Sequence, residues 1–240
     1  MVFTIGTSFY SVDDVSRTEE IVISKKNSDK SSSNIKLSET KSEVSELYSS
    51  IDFGANKINE SVFEKAYQGF ENLKKAGQLP EDVQTLTICD FSLSSNQKRL
   101  WVIDMRAKKV LFNTLVAHGK NTGEEYATNF SNIESSYQSS LGFYITDVTY
   151  EGSNGYSLKL LGMDRGFNDA ALKRAIVMHG ADYVSADFAA QHKRIGRSWG
   201  CPAVPRDVAA SIIDTIKGKN CLFIYYPDEH YLSSSEWLQS

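Results

Sequence analysis

Arg197-Ser-Trp-Gly-Cys-Pro-Ala-Val-Pro205 sets a cysteine directly after a glycine and before a proline, with a helix-start signal close behind. Gly200 permits close backbone approach or a positive φ, and Pro202 stiffens the chain after the cysteine. The amides of Gly200 and Cys201 are candidates to converge on one spot as an oxyanion site. The helix that begins near Pro205 would favour a thiolate if its axis points at the sulfur. Taken alone, a cysteine between Gly and Pro reads as a tolerated small residue. Its neighbours in the chain change that reading.

Some twenty residues upstream lies Ile176-Val-Met-His-Gly180, an apolar run ending in His-Gly. An isolated histidine at a strand end is more often a hydrogen-bonded core residue than a base. Paired with a downstream Gly-Cys, His179 and Cys201 are the minimum equipment for cysteine acyl transfer. The second ring nitrogen then needs a partner, and a backbone carbonyl serves. His118, in Ala117-His-Gly119, ends a long strand pattern and is a candidate to line the same cleft. His192 and His230 sit in polar stretches and read as solvated.

The flanking patterns make the chain an α+β protein, rich in β. Thr85–Phe91, Arg99–Asp104, Lys109–Ala117, Leu141–Tyr150 and Tyr156–Leu161 alternate with period two. Met105-Arg-Ala-Lys108 and Ser153-Asn-Gly155 link two of these pairs as hairpins. They predict a mainly antiparallel sheet or barrel with peripheral helices. After Gly166 the pattern mixes: a short helix capped by Asn168 or Asp169 and running through Arg174, a strand Ala175–Met178, a helix capped by Ser185, a longer helix from Pro205 to Gly218, and a strand Asn220–Tyr226.

Before the strands, Ser61-Val-Phe-Glu64 reads as a capping box. Phe63, Ala66, Tyr67, Phe70 and Leu73 then share one helical face, and Gly77 and Pro80 end the helix. Earlier still, residues 11–45 are dominated by Ser, Lys, Glu, Asp and Asn and read as a flexible tether. The start, Met1–Tyr10, is apolar but lacks a positive n-region; it reads either as the remnant of a signal or as an ordinary N-terminus.

Composition narrows the function classes. Over 240 residues the net charge is -4, with no basic stripe, which argues against nucleic acid. No apolar run approaches the length of a membrane span. The three cysteines, Cys89, Cys201 and Cys221, match neither a disulfide framework nor a zinc pattern. Cys89 and Cys221 sit among apolar neighbours and read as small core residues.

Together the quoted segments resemble a family. His179-Gly180 followed by Ser198-Trp-Gly-Cys201 is similar to the His-Gly and Ser-x-Gly-Cys signature of the L,D-transpeptidase catalytic domain, whose enzymes remodel bacterial peptidoglycan. Ser139-Ser-Leu-Gly-Phe-Tyr-Ile145 resembles that family's Thr-Pro-x-Gly-x-Phe strand, and the runs Lys98–Asp104 and Lys109–Gly119 resemble its opening hairpin. The likeness is to the divergent murein L,D-transpeptidase branch and covers roughly Thr85 to the C-terminus. It divides the chain into a tether (1–45), a helical segment (46–84) and a catalytic domain (85–240) built as an L,D-transpeptidase-like β-sandwich or barrel.

The resemblance implies a ping-pong mechanism through a thioester. Cys201 would attack the carbonyl after the third residue of a donor stem, with His179 moving the proton and Gly180 orienting the ring. The amides of Gly200 and Cys201 would hold the oxyanion. His118, Ser139, Ser140, Gly142, Arg197, Ser198 and Trp199 would line the substrate cleft. An amine of a second stem as acceptor would give a 3→3 cross-link; water would give L,D-carboxypeptidase activity. No metal or organic cofactor is implied, the partners are peptidoglycan stem peptides, and the location is the cell envelope, periplasmic or secreted. The alternatives are an inactive wall-binding module of the same fold and a cysteine hydrolase acting on another peptide. One departure stands out: the family usually carries arginine two residues after the cysteine, where this chain has Ala203. Arg197 and Arg206 are the candidate replacements.

Overall fold

The structure is a computed structural model and describes Val2 and residues 42–239. Apart from Val2, Met1–Tyr10 and most of the tether therefore lie outside the described residues. Residues 42–50 are helical (α1), including the last four residues of the expected tether. The physical reason is visible in the chain: Val44, Leu47, Tyr48 and Ile51 recur at helical spacing. The chain divides into two compact units, Met1–Glu46 and Leu47–Ser240. The expected boundary at residue 84 falls inside the second unit.

That unit is organised by one eight-stranded mixed sheet: β1 (Thr85–Asp90), β2 (Leu100–Asp104), β3 (Lys109–Thr114), β4 (Gly142–Gly152), β5 (Gly155–Gly162), β6 (Val177–Ala181), β7 (Ala203–Pro205) and β8 (Cys221–Tyr225). Their spatial order is β3-β2-β1-β8-β4-β5-β6-β7. Only the β1–β8 and β6–β7 pairs are parallel. The two edge strands nearly meet. Past β3 the chain carries Ala117 to the opposite edge, where its N–H donates to the Ala203 carbonyl at 2.8 Å. The sheet thus curls into a nearly closed barrel, which leaves little unpaired edge. This also explains why β3 stops at Thr114 instead of Ala117: the next residues pair with β7. The β-rich α+β fold expected from the sequence is the one observed.

The helices are peripheral. Helix α2 (Glu60–Lys75) is capped two residues before the start of the expected capping box. Asn59 is the cap, its Oδ1 accepting from Ser61 N at 2.9 Å and from the Ser61 hydroxyl at 2.8 Å. Asn is as good a cap as Ser and stands earlier, so the helix starts there. Val62, Phe63, Ala66, Phe70 and Leu73 are buried. Gly69 lets the Phe143 ring approach, since a Cβ there would lie 2.0 Å from Phe143 Cζ. Phe143 in turn stacks on Phe223 at 4.1 Å between ring centroids. Both rings are fully buried, and each such burial stabilises by roughly 1.5–3 kcal/mol.

Helices α3 (Ala186–His192), α4 (Arg206–Ile216), α5 (Glu229–Ser234) and α6 (Glu236–Gln239) complete the unit. Ser185 caps α3 through the Phe188 N–H at 3.2 Å. The expected helix over 168–174 is instead a run of turns that ends at Ala175 with φ +53°. Asn168 is buried there and is occupied by Asp164 N and the Phe143 carbonyl, so it does not cap a helix. The next strand starts at Val177, which puts His179 in mid-strand and not at an end.

Candidate active site

Cys201 sits in a turn that its neighbours hold closed. The Ser198 hydroxyl donates to the Cys201 carbonyl at 2.6 Å and accepts from Gly200 N at 3.0 Å. Gly200 has φ +123°, a conformation open to glycine, and a Cβ there would lie 2.7 Å from the Gln138 carbonyl. Pro202 biases Cys201 toward extended backbone and into β7. Ser198 is itself pinned by the His118 carbonyl and by Lys120 N. Ser198 is thus a buried brace of the turn.

The thiol faces the start of β6. Cys201 Sγ lies 3.5 Å from Val177 N, which donates to it, and 3.8 Å from the Ala175 carbonyl. Two residues along the same strand is His179, buried, its Nδ1 3.1 Å from the Gly180 carbonyl. With Nδ1–H donating to that carbonyl, a neutral ring keeps its lone pair on Nε2. No hydrogen bond joins the imidazole to the thiol in this arrangement. Gly180 has a second duty: a Cβ there would lie 2.9 Å from Ala209 Cβ, so glycine lets α4 pack on β6.

Electrostatics define the resting state. Burial pushes the Cys201 thiol up, offset in part by the Val177 N–H and the Arg174 guanidinium. Burial holds the His179 imidazole below its ordinary value, opposed by the Gly180 carbonyl and assisted by Arg206. Both groups are therefore neutral at pH 7. Such a pair works by base-assisted deprotonation and not as a preformed thiolate–imidazolium pair.

The remaining expected residues fall in different places. The Gly200 N–H is committed to Ser198 Oγ, whereas no acceptor among the described residues takes the Cys201 N–H. Ser139 is buried and bridges the turn, accepting from Gly119 N at 3.0 Å and donating to the Gly200 carbonyl at 3.2 Å. Ser140 donates to the Ser131 carbonyl at 2.7 Å. Trp199 is exposed, 75% of its surface open, and leans on Tyr137 at 5.6 Å between centroids. Arg197 is spent on Glu124 and on the carbonyls of Lys120 and Gly123. Arg206 pairs with Asp182 at 2.6 Å. His118 does not face the thiol: it is buried, with Nδ1 2.7 Å from Arg99 Nη2 and Nε2 3.3 Å from the Gly123 carbonyl. Burial and Arg99 push it down to about 3, so it stays neutral.

Two residues near the thiol carried no usable sequence signal. Arg174 comes after a lysine in a polar stretch, yet its guanidinium reaches the Gly200 turn, with Nη2 3.4 Å from where a Gly200 Cβ would stand. Tyr183 couples electrostatically to Cys201, and burial pushes its phenol up to about 12. It lines a cavity of about 290 Å³ with Lys120, Phe188, Arg194, Gly196 and Arg197.

Gly142 marks the start of β4. It has φ +116°, and a Cβ there would lie 2.5 Å from Asp164 Oδ2. That carboxylate accepts from Phe143 N at 2.7 Å and from the Ser235 hydroxyl at 2.5 Å. Burial raises Asp164 to about 6. A carboxyl raised on folding holds more protons folded than unfolded between pH ~4 and ~6, so its contribution to stability falls as pH rises through that window. Urea unfolding of wild type and Asp164→Asn is expected to show the wild type losing about 2 kcal/mol relative to the variant between pH 4.5 and 7.5. A pH-independent difference would remove the linkage.

Among the described residues no cluster of three or more His, Cys, Asp or Glu is placed to hold a metal ion, and no helix is long and apolar enough to cross a membrane. Cys89 and Cys221 are free and buried.

Comparison with known proteins places the chain. The L,D-transpeptidase catalytic domain family matches residues 54–225. No curated protein matches the chain. Among solved structures it is similar to an L,D-transpeptidase from Mycobacterium smegmatis, at 12% identity over 60% of this chain and 59% of that one, TM-score 0.37. It is similar to the helical cell shape determining protein Pgp2 from Campylobacter jejuni, at 13% identity over 69% and 57%, TM-score 0.37. It is similar to an L,D-transpeptidase from Xylanimonas cellulosilytica, at 11% identity over 75% and 90%, TM-score 0.34. The chain spans about 59% of the length of the mycobacterial enzyme.

Proposed function

The chain belongs to the L,D-transpeptidase catalytic domain family, and from that premise we propose that it is a cysteine acyltransferase acting on peptidoglycan stem peptides in the cell envelope. The observation that carries this reading is the partly exposed Cys201 thiol held against the strand that presents His179 with its Nδ1 tied to Gly180. Cys201 Sγ attacks the donor carbonyl while Nε2 of His179 takes the thiol proton. The tetrahedral oxyanion accepts the free Cys201 N–H. Collapse expels D-alanine, which leaves as the amine with the proton returned by His179, and a thioester remains. An amine of a second stem, or water, then attacks the thioester, and Sγ leaves as thiolate and is reprotonated. His179 and Cys201 are not hydrogen-bonded at rest, and in this reading their contact forms when substrate binds. The neutral resting pair keeps the thiol protonated until then.

A second reading is a catalytically inactive wall-binding module. It is favoured by one observation, the absence of a thiol–imidazole hydrogen bond. Incubation of the protein with purified tetrapeptide muropeptides separates the readings by chromatography and mass. Cross-linked dimers indicate transpeptidation and tripeptide monomers indicate L,D-carboxypeptidase activity. Unchanged muropeptides with retained binding to murein sacculi would replace the enzyme reading with the binding one.

A further inference from the structure

We propose that Arg174 is a positioning residue for Cys201: its guanidinium pins the 131–140 segment against the Gly200 turn and leaves an uncancelled positive charge beside the thiol. The inference rests on Cys201 being the nucleophile.

The hydrogen-bond inventory carries the first half. A guanidinium has five N–H donors in a fixed fork. Nη1 donates to the Ser131 carbonyl at 2.8 Å and to Ser140 Oγ at 2.5 Å. Nη2 donates to the Gln138 carbonyl at 2.6 Å and to Ser136 Oγ at 3.1 Å. All four Nη hydrogens are thus spent within one ten-residue segment. That segment abuts the cysteine turn at two further points, the Gln138 carbonyl against Gly200 Cα and the Ser139 hydroxyl on the Gly200 carbonyl. The segment needs a pin, because Ser135 and Tyr137 both hold positive φ, at +57° and +56°. Such conformations cost of order 1–3 kcal/mol each and persist only where the surroundings enforce them.

The charge carries the second half. Every acceptor on Arg174 is a neutral carbonyl or hydroxyl, and among the described residues no carboxylate pairs with it. Its buried Nε–H has no hydrogen-bond partner among the described residues. A half-buried cation in that state is stabilised by any anion that forms nearby. The residue after it, Ala175, is strained at φ +53° and its carbonyl touches Cys201 Sγ. The Arg174–Val177 segment therefore wraps the sulfur, with Arg174 and the Val177 N–H on the side that favours thiolate. Because its Nη donors are consumed, Arg174 does not bind a substrate carboxylate. Its action is on the nucleophile, whose proton still goes to His179.

The pH dependence of Cys201 alkylation by iodoacetamide, read by intact mass, tests this without any peptidoglycan substrate. Cys89 and Cys221 are buried and serve as unreactive internal references. Arg174→Gln is expected to raise the alkylation midpoint by about one pH unit and slow the reaction about tenfold at pH 7. Arg174→Lys is expected to restore the midpoint but not the clamp, so limited proteolysis within residues 131–140 accelerates. A glutamine variant with the wild-type midpoint would overturn the electrostatic role. If the glutamine variant does not fold, the lysine variant still decides, because unchanged protection of 131–140 would overturn the clamp. Inert muropeptides with a normal alkylation profile would refute the proposed function and leave this inference standing.

Discussion

Cys201→Ala is expected to abolish covalent acylation by a carbapenem, while wild type gains one adduct per chain. The argument is one of exclusion as well as placement. Of the three thiols, Cys201 alone is partly exposed, whereas Cys89 and Cys221 are fully buried in β1 and β8. Burial pushes the Cys89 thiol up to about 12 and the Cys221 thiol further still, so neither supplies thiolate near neutrality. The hydrogen bonds lost with Sγ are two long ones, from Val177 N at 3.5 Å and to the Ala175 carbonyl at 3.8 Å, and alanine keeps the Cβ. The variant should therefore fold and bind while forming no adduct. Intact-mass spectrometry after incubation decides it: the same adduct on Cys201→Ala would sink the nucleophile assignment. The wild-type rate should change little just above pH 7, because His179 is already neutral there.

Arg99→Ala is expected to destabilise the fold by about 3–5 kcal/mol, the size of leaving several buried polar partners unpaired. Arg99 precedes β2 and is fully buried. Its Nη1 donates to the Leu93 carbonyl at 2.7 Å, and Nε and Nη2 donate to the Val116 carbonyl at 3.2 and 3.0 Å. Nη2 also meets His118 Nδ1, and the guanidinium lies over the Phe91 ring at 4.7 Å. Burial lowers Arg99 to about 10, so it remains charged at neutral pH. Truncation orphans two carbonyls and a ring nitrogen, and it empties a large volume. Arg99→Lys should recover little of the loss, because a point charge cannot reproduce the fork. For a unit of this size the expected fall in Tm is on the order of 10 °C. A variant within 1 kcal/mol of wild type in urea unfolding would show that the network is not structural. Arg99 also acts on the site at one remove, since Val116–His118 run into the segment that pairs with Ala203 and Ser198.

Local pattern carried the strands well. Short runs of strand-favouring residues located β1, β2, β4, β5 and β8 within one or two residues; β1, β2 and β8 are buried along nearly their whole length, so their mark is a short apolar run bounded by polar residues. Local pattern failed at 168–174, where Asn168 looked like a cap. The side chain is instead drawn inward by Phe143 and Asp164, partners 25 and 4 residues away. The resemblance placed Ser139, Ser198 and His118 in the cleft; in the structure the Ser139 hydroxyl meets the Gly200 carbonyl, the Ser198 hydroxyl the Cys201 carbonyl and His118 Nε2 the Gly123 carbonyl.

The sequence by itself determined the β-rich class, the family, and the pairing of Cys201 with His179 as the chemical suspects. Those rest on periodicity and on residue types that sit close together in the chain. Only the tertiary structure decided which cation attends the thiol. Arg197 and Arg206, the near neighbours in sequence, are bound to Glu124 and Asp182. Arg174 reaches Gly200 in the cysteine turn because β6 and β7 run parallel and side by side, which brings residues 26 positions apart together. Such a contact is set by strand order, and strand order leaves no mark on local composition.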